Sequence, residues 1–228
     1  MKNTIAIFFW VCTIFFNVFE AYAKEENKKS IEQIRELAKK GDSKSQYKLG
    51  DIYFEGKEVE KDYNEAIKWF RKAAKQGDLD AFIALGYCYY VGVGVKKDYA
   101  ESVKWYRKAA DQGNADAQFN LGNCYYGGIG VEKDAVEAIK WYRKAADQGN
   151  ARAQCSLGDF YRFGIGVEKD AVEAIKWYRK AADQGNAGGQ YNLGSCYRFG
   201  VGVEKDAVEA IKWYRKAADQ GNADAQFN

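Results

Sequence analysis

Trp69, Trp105, Trp141, Trp177 and Trp213 follow one another at a spacing of 36 residues, and Tyr53, Tyr89, Tyr125, Tyr161 and Tyr197 keep the same step. A period of this length commits the chain to a stack of equivalent units. One such unit is too small to bury its own apolar face, so its core comes from its neighbours. Cutting after the recurrent glycine gives five units, 42–77, 78–113, 114–149, 150–185 and 186–221. The last three are nearly copies. VEKDAVEAIKWYRKAADQGN recurs unchanged from Val131, Val167 and Val203, so most of what distinguishes these units lies in the segment before it.

Each unit reads as two helices. In helix A, Ala117, Leu121, Cys124 and Tyr125 recur at steps of three and four, with Asn114 placed to cap the start. The pairs Gly92 and Gly94, Gly128 and Gly130, Gly164 and Gly166, and Gly200 and Gly202 end it in a turn. Asp62 with Glu65, and the equivalent pairs up to Asp206 with Glu209, form a D-x-x-E capping box that opens helix B. Helix B runs through Ala138, Trp141, Tyr142, Ala145 and Ala146, its paired alanines allowing close helix approach.

The ends differ. Residues 24–41 read as an N-terminal capping half-repeat, since Ile31 and Ala38 align with Ile67 and Ala74 of the next helix B. Residues 222–228 repeat 114–120 letter for letter, the start of a sixth, incomplete repeat, and the natural chain is expected to continue past Asn228. Residues 1–23 read as a secretory signal peptide: Lys2, an apolar run from Ile5 to Phe19, and Ala21-Tyr22-Ala23 with cleavage after Ala23. The run falls short of the roughly 20 residues that span a bilayer. The expectation is a secreted or periplasmic protein, with an uncleaved signal anchor as the one membrane alternative.

The motif A-x-x-x-L-G-x-x-Y-x-x-G-x-G-V-x-x-D followed by A-x-x-W-x-x-x-A-A-x-x-G, carried by Ala117, Leu121, Gly122, Tyr125, Gly128, Gly130, Val131 and Asp134, then Ala138, Trp141, Ala145, Ala146 and Gly149, resembles the Sel1-like repeats of the tetratricopeptide superfamily. Departures are small. Glu58 replaces the second turn glycine of the first unit, and Lys96, Glu132, Glu168 or Glu204 stands where the family often has proline. The resemblance implies an all-α, right-handed α-solenoid of antiparallel helix pairs, with helix A lining a concave face that holds other proteins.

On that geometry the groove takes Lys44, Tyr47, Asp51, Phe54 and Glu55 in the first unit, Asp80, Ile83, Tyr87, Tyr90 and Val91 in the second, and Asp116, Phe119, Asn123, Tyr126 and Gly127 in the third. Arg152, Cys155, Asp159, Arg162 and Phe163 follow in the fourth, and Tyr191, Ser195, Arg198 and Phe199 in the fifth. The candidate protein-binding residues are Tyr87, Tyr90, Asn123, Tyr126, Asp159, Arg162, Ser195 and Arg198. Tyr and Arg are enriched at interface hot spots, which puts Tyr87, Tyr90, Tyr126, Arg162 and Arg198 first. The recurrent Tyr53 to Tyr197 series and the tryptophans are read as packing residues.

Composition removes other functions. With no histidine, the Ser-His-Asp triad, the Cys-His dyad and most imidazole metal sites are excluded. A net charge of +3 spread along the chain gives no case for nucleic acid or an anionic membrane surface. The expected partner is a protein or peptide, with no cofactor and no metal. Cleavage would leave Cys88, Cys124, Cys155 and Cys196. Cys88 and Cys124 fall about 8 to 10 Å apart on successive A helices, beyond the ~7 Å reach of a disulfide. Cys88, Cys124 and Cys196 read as small core hydrophobes and Cys155 as an accessible thiol. The alternative activity is a low-activity hydrolase of β-lactam type, which some relatives of this family suggest. Its one local match is Ser45 with Lys48 in S-x-x-K, on a first turn read as solvent-exposed, without the S-D-N or K-T-G that would accompany it. A passive envelope spacer is the third reading.

Overall fold

Capping chemistry sets every helix boundary. The computed structural model describes residues 30–226, and its main-chain contacts divide them into two compact units that meet between Lys96 and Lys97. The first holds α1 (30–39), α2 (Ser43–Glu55), α3 (Tyr63–Lys75) and α4 (Leu79–Val91). The second holds α5 (Tyr99–Asp111), α6 (Ala115–Gly127), α7 (Ala135–Asp147), α8 (Ala151–Phe163), α9 (Ala171–Asp183), α10 (Ala187–Phe199), α11 (Ala207–Asp219) and α12 (Ala223–Gln226). No strand occurs among the described residues. The expected signal peptide, residues 24–29 of the half-repeat, and residues 227–228 lie outside the described residues.

The A helices are α2, α4, α6, α8 and α10. At each start the side chain of Asp42, Asp78, Asn114, Asn150 or Asn186 accepts the backbone N–H three residues on. Each ends on a left-handed glycine, Gly56 through Gly200. Asp62 through Asp206 do the same for the B helices α3, α5, α7, α9 and α11. Within each unit, an A helix and the B helix that follows it are antiparallel. In the third repeat Asp134 N–H, at the start of α7, donates to the Tyr125 carbonyl late in α6 at 2.9 Å. Gln148, just past the end of α7, reaches Gln118 early in α6 at 2.8 Å.

Close packing within the pair comes from a glycine facing a ring. Gly158 of α8 lies under Tyr178 of α9, where an added Cβ would stand 2.4 Å from two ring carbons, and Gly122 meets Tyr142 in the same way at 2.7 Å. Between repeats the second turn glycine does the corresponding work. Gly130 has φ +71, and a Cβ there would stand 2.2 Å from the Tyr99 carbonyl oxygen at the start of the preceding B helix. Glu58 keeps this left-handed backbone, at φ 65, at the strain such a conformation imposes on a side-chain-bearing residue.

Two polar links join successive repeats, the second of them absent from the second repeat, where Phe82 stands at the glutamine position. Arg71 donates to the Tyr89 hydroxyl at 2.8 Å, and Arg107, Arg143 and Arg179 donate likewise to Tyr125, Tyr161 and Tyr197. Arg35 of α1 makes the same bond to Tyr53, so α1 packs as a lone helix B, with Ala38 against Leu49 and Trp69. The recurrent tyrosines thus do more than pack. The second link is a buried amide. Gln118 donates to the Ala110 carbonyl at the end of the preceding B helix while accepting from Gln148, and Gln46, Gln154 and Gln190 repeat the arrangement. These glutamines give a second donor to carbonyls that also accept the N–H of the glycine three residues on, as Ala146 does from Gly149.

The core is a series of clusters, each shared between successive repeats. Tyr142, Ala145, Ala153, Leu157, Phe160 and Trp177 form one cluster, and Tyr178, Leu193, Cys196 and Trp213 form the next. Trp177 and Trp213 therefore belong to the core shared with the repeat before their own.

Candidate protein-binding surface

Helix A presents two kinds of variable position. The first faces the B-helix ring. Asn123 accepts from the Tyr142 hydroxyl at 2.7 Å, Asp159 accepts from Tyr178 at 2.7 Å, and Ser195 shares a hydrogen bond with Tyr214 at 3.1 Å. All three were groove candidates, yet their polar atoms serve a hydroxyl rising from the core. Ser195 is buried and offers a ligand little, which corrects its placement on the groove. Phe119, also assigned to the groove, is buried against Tyr142 and covered by the Arg152 guanidinium, 4.3 Å from its ring centroid.

The second kind faces outward at the end of helix A. Tyr126, Arg162 and Arg198 are equivalent, as are Gly127, Phe163 and Phe199. Tyr126 is exposed, with Lys133 5.9 Å from its ring centroid. Phe163 is 63% exposed and Phe199 56%, and the guanidiniums of Arg162 and Arg198 each stand 5.2 Å from the adjacent ring. In the first unit Tyr87 is exposed, 6.2 Å from Phe54, while Tyr90 is half-buried. The structure therefore leaves Tyr87, Tyr126 and Arg198 at the surface, holds Arg162 half-buried, and engages the polar atoms of Asn123, Asp159 and Ser195 with B-helix tyrosines.

Between α8 and α10 the inward set becomes a polar cluster. Asn192 donates to Asp159 at 3.2 Å and lies 3.7 Å from the Cys155 sulfur, and Arg162 reaches Tyr178. Burial raises the Asp159 carboxyl above its ordinary value, opposed by the Tyr178 hydrogen bond and the Arg162 charge. Burial beside this carboxylate raises the Tyr178 phenol as well.

A family model for the Sel1 repeat matches residues 43–78, 81–114, 115–150, 151–186 and 187–222. The chain belongs to the Sel1 repeat family. Two solved structures share its α-solenoid fold. The Sel1 repeat protein of Oxalobacter formigenes is 38% identical, with a TM-score of 0.82 over 88% of this chain and 81% of that one. The protective antigen c5321 of uropathogenic Escherichia coli is 46% identical, also with a TM-score of 0.82, over 86% of this chain. This Sel1 repeat chain spans 42% of the length of c5321. Among curated proteins no relative matches it.

In this Sel1 repeat protein the S-x-x-K match has no exposed nucleophile. Ser45 is buried, not on an open first turn, and its N–H and hydroxyl both go to Asp42. Cys88, Cys124 and Cys196 are buried free thiols, and burial pushes Cys88 and Cys124 up to about 11. Cys155 departs from expectation. It is only partly exposed, packs against the cluster of Tyr178, Leu193, Cys196 and Trp213, and is pushed up to about 12 by burial, which leaves it protonated and unreactive near neutral pH.

Sequence reasoning passed over the buried glutamines and the loop lysines. A polar residue recurring at one register inside an apolar stripe, Gln118 and Gln154 and Gln190, was the available signal. Lys133, Lys169 and Lys205 share the V-x-K-D segment, and only the fold brings them back against the end of helix A, within 3.2, 3.4 and 2.9 Å of where a Cβ on Gly128, Gly164 and Gly200 would stand.

Proposed function

We propose that this Sel1 repeat scaffold is exported and holds a protein partner on its helix A surface. The observation behind this reading is where the near-copies differ. The B helices α7, α9 and α11 are identical, whereas exposed or half-buried positions of the A helices change from Tyr126 to Arg162 and Arg198, and from Gly127 to Phe163 and Phe199. A framework held constant with a varied exposed face suits recognition, and solenoids offer such faces in proportion to their length. Exposed Tyr, Phe and Arg also supply the large, semi-rigid contacts that dominate binding energy.

The test is affinity capture on the mature protein beside a Tyr126→Ala, Arg162→Ala, Arg198→Ala variant. Any retained protein is then purified and titrated against both by calorimetry. The expected result is a defined affinity for the mature protein and at least tenfold weaker binding to the variant. Equal affinities would remove helix A from the interface. Mass spectrometry of the native protein tests export: a terminus at Lys24 is expected, and an intact Met1 would refute cleavage.

A further inference from the structure

Asp51 of α2 stands at the same place in its repeat as Asp159 of α8. Asp159 is satisfied from three sides, by the Tyr178 hydroxyl at 2.7 Å, the Asn192 amide at 3.2 Å and the charge of Arg162. In the first unit the equivalents of these three groups are Phe70, Ala84 and Phe54. The carboxylate is kept while every group that answers it is replaced by an apolar side chain. The equivalence holds in space, since Phe70 lies over Gly50 as Tyr178 lies over Gly158, with an added Cβ 2.6 Å from the ring in the one case and 2.4 Å in the other.

Among the described residues no hydrogen-bond donor or ion-pair partner reaches the Asp51 carboxylate. Lys57 bears on it, but that ammonium is paired with Glu55 at 3.3 Å. Lys44 and Lys48 of the same helix are exposed and form no ion pair with it. Burial, followed by the charge of Glu55, raises the Asp51 carboxyl above its ordinary value. A half-buried carboxylate among apolar groups is destabilising until something supplies a donor.

The surroundings define what that donor is. Ser43 donates to Asp78 at 3.4 Å and the rings of Phe54 and Tyr87 lie 6.2 Å apart, so α2 and α4 run side by side. Tyr47, Asp51 and Phe54 share one face of α2 at steps of four and three, and Tyr87, 48% exposed, stands beside them on α4. Asp80, exposed in the first turn of α4, adds a second negative charge near Tyr47. A hydrocarbon side chain placed here leaves Asp51 without a donor, and an acidic one is repelled. An arginine meets both demands, because its planar guanidinium donates to a carboxylate in a fork and stacks on aromatic faces.

We propose that the face of α2 and α4 around Asp51 receives an arginine side chain of a protein partner, its guanidinium on the carboxylate and its stem along Phe54 and Tyr87. The partner brings to the first repeat the cation that the fourth carries as its own Arg162. This rests on the partner-holding reading above and adds the chemistry of the partner.

The test is selection of a displayed random-peptide library on the intact chain, followed by titration of the selected peptides, as fluorescent probes, against two variants. Asp51→Asn removes the charge and keeps the shape. Phe70→Tyr with Ala84→Asn rebuilds the two donors that hold Asp159 and so occupies the carboxylate from within. Circular dichroism confirms that helix content is unchanged in both. The expected peptides carry arginine and bind either variant at least tenfold more weakly than the parent. They lose affinity to a similar degree when that arginine is replaced by citrulline, which keeps the shape without the charge. Selected peptides that lack arginine, or an affinity unchanged in either variant, overturn this inference while leaving the partner-holding reading standing. A selection that yields no binder to the parent chain overturns both.

Discussion

Replacing Gly158 by alanine sets two effects of known size against each other. The gain is helix propensity, about 1 kcal/mol for alanine over glycine within a helix. The loss is overpacking. The new methyl carbon would stand 2.4 Å from both Cδ1 and Cε1 of Tyr178 and 2.9 Å from Cζ, well inside the contact distance of carbon atoms. Tyr178 has no easy escape, because it is fully buried and its hydroxyl is held 2.7 Å from Asp159. Forcing an extra carbon into such a core costs about 1–3 kcal/mol and sometimes more, and contacts this short belong at the upper end. The net expectation is destabilisation by about 1–2 kcal/mol, a fall of roughly 2–8 °C in Tm for a chain of this size. Gly194 provides the comparison, since its nearest approach to Tyr214 is 2.9 Å and α11 has only the short α12 following it. Gly194→Ala should cost distinctly less. Thermal melts of the two variants beside the parent decide it, and a Gly158→Ala protein that melts higher than the parent would refute the packing argument.

Other expectations follow from the same contacts. Burial raises the Asp159 carboxyl in the folded protein, so its charged form costs stability above the folded pKa, and that cost fades as pH falls toward the unfolded value. Asp159→Asn, which reproduces the Asn123 pairing with tyrosine, should therefore stabilise the protein near pH 7 by an amount that shrinks toward pH 4; urea titrations at the two pH values measure it, and a pH-independent difference would count against a buried charge. Gln154→Ala removes two hydrogen bonds, to the Ala146 carbonyl and from the Gln184 amide, each worth about 0.5–1.5 kcal/mol, and should cost about 1–3 kcal/mol, read from the same denaturation curves. The four cysteines of the described chain should react with Ellman's reagent at pH 8 only when urea is present, Cys155 included, and a fast single-thiol phase in native buffer would contradict the environment described for it.

Much of the fold was legible because its determinants are local. Asp or Asn at each cap, glycine where the backbone turns left-handed, and apolar residues at steps of three and four all act within a turn of chain. The surface was legible only in part. Tyr126, Arg162 and Arg198 could be placed outward because a packed core would not exchange a ring for a guanidinium. Asn123, Asp159 and Ser195 vary just as freely, and nothing in their spacing showed that a tyrosine hydroxyl on another helix would claim them. Small polar groups of different kinds each satisfy that hydroxyl, so variation there reflects tolerance at a buried hydrogen bond as well as exposure.

By itself the sequence determined the repeat period, the helices and their caps, and hence a solenoid of helix pairs, because each follows from residues within one 36-residue step. Only the tertiary structure decided which side of helix A is occupied and which is free. That depends on what the neighbouring helix brings: Tyr178 fills the space above Gly158 and takes Asp159, and Asn192 crosses from α10 to the same carboxylate. Phe163 and Phe199, at the last turn of their helices, meet no such neighbour and remain exposed.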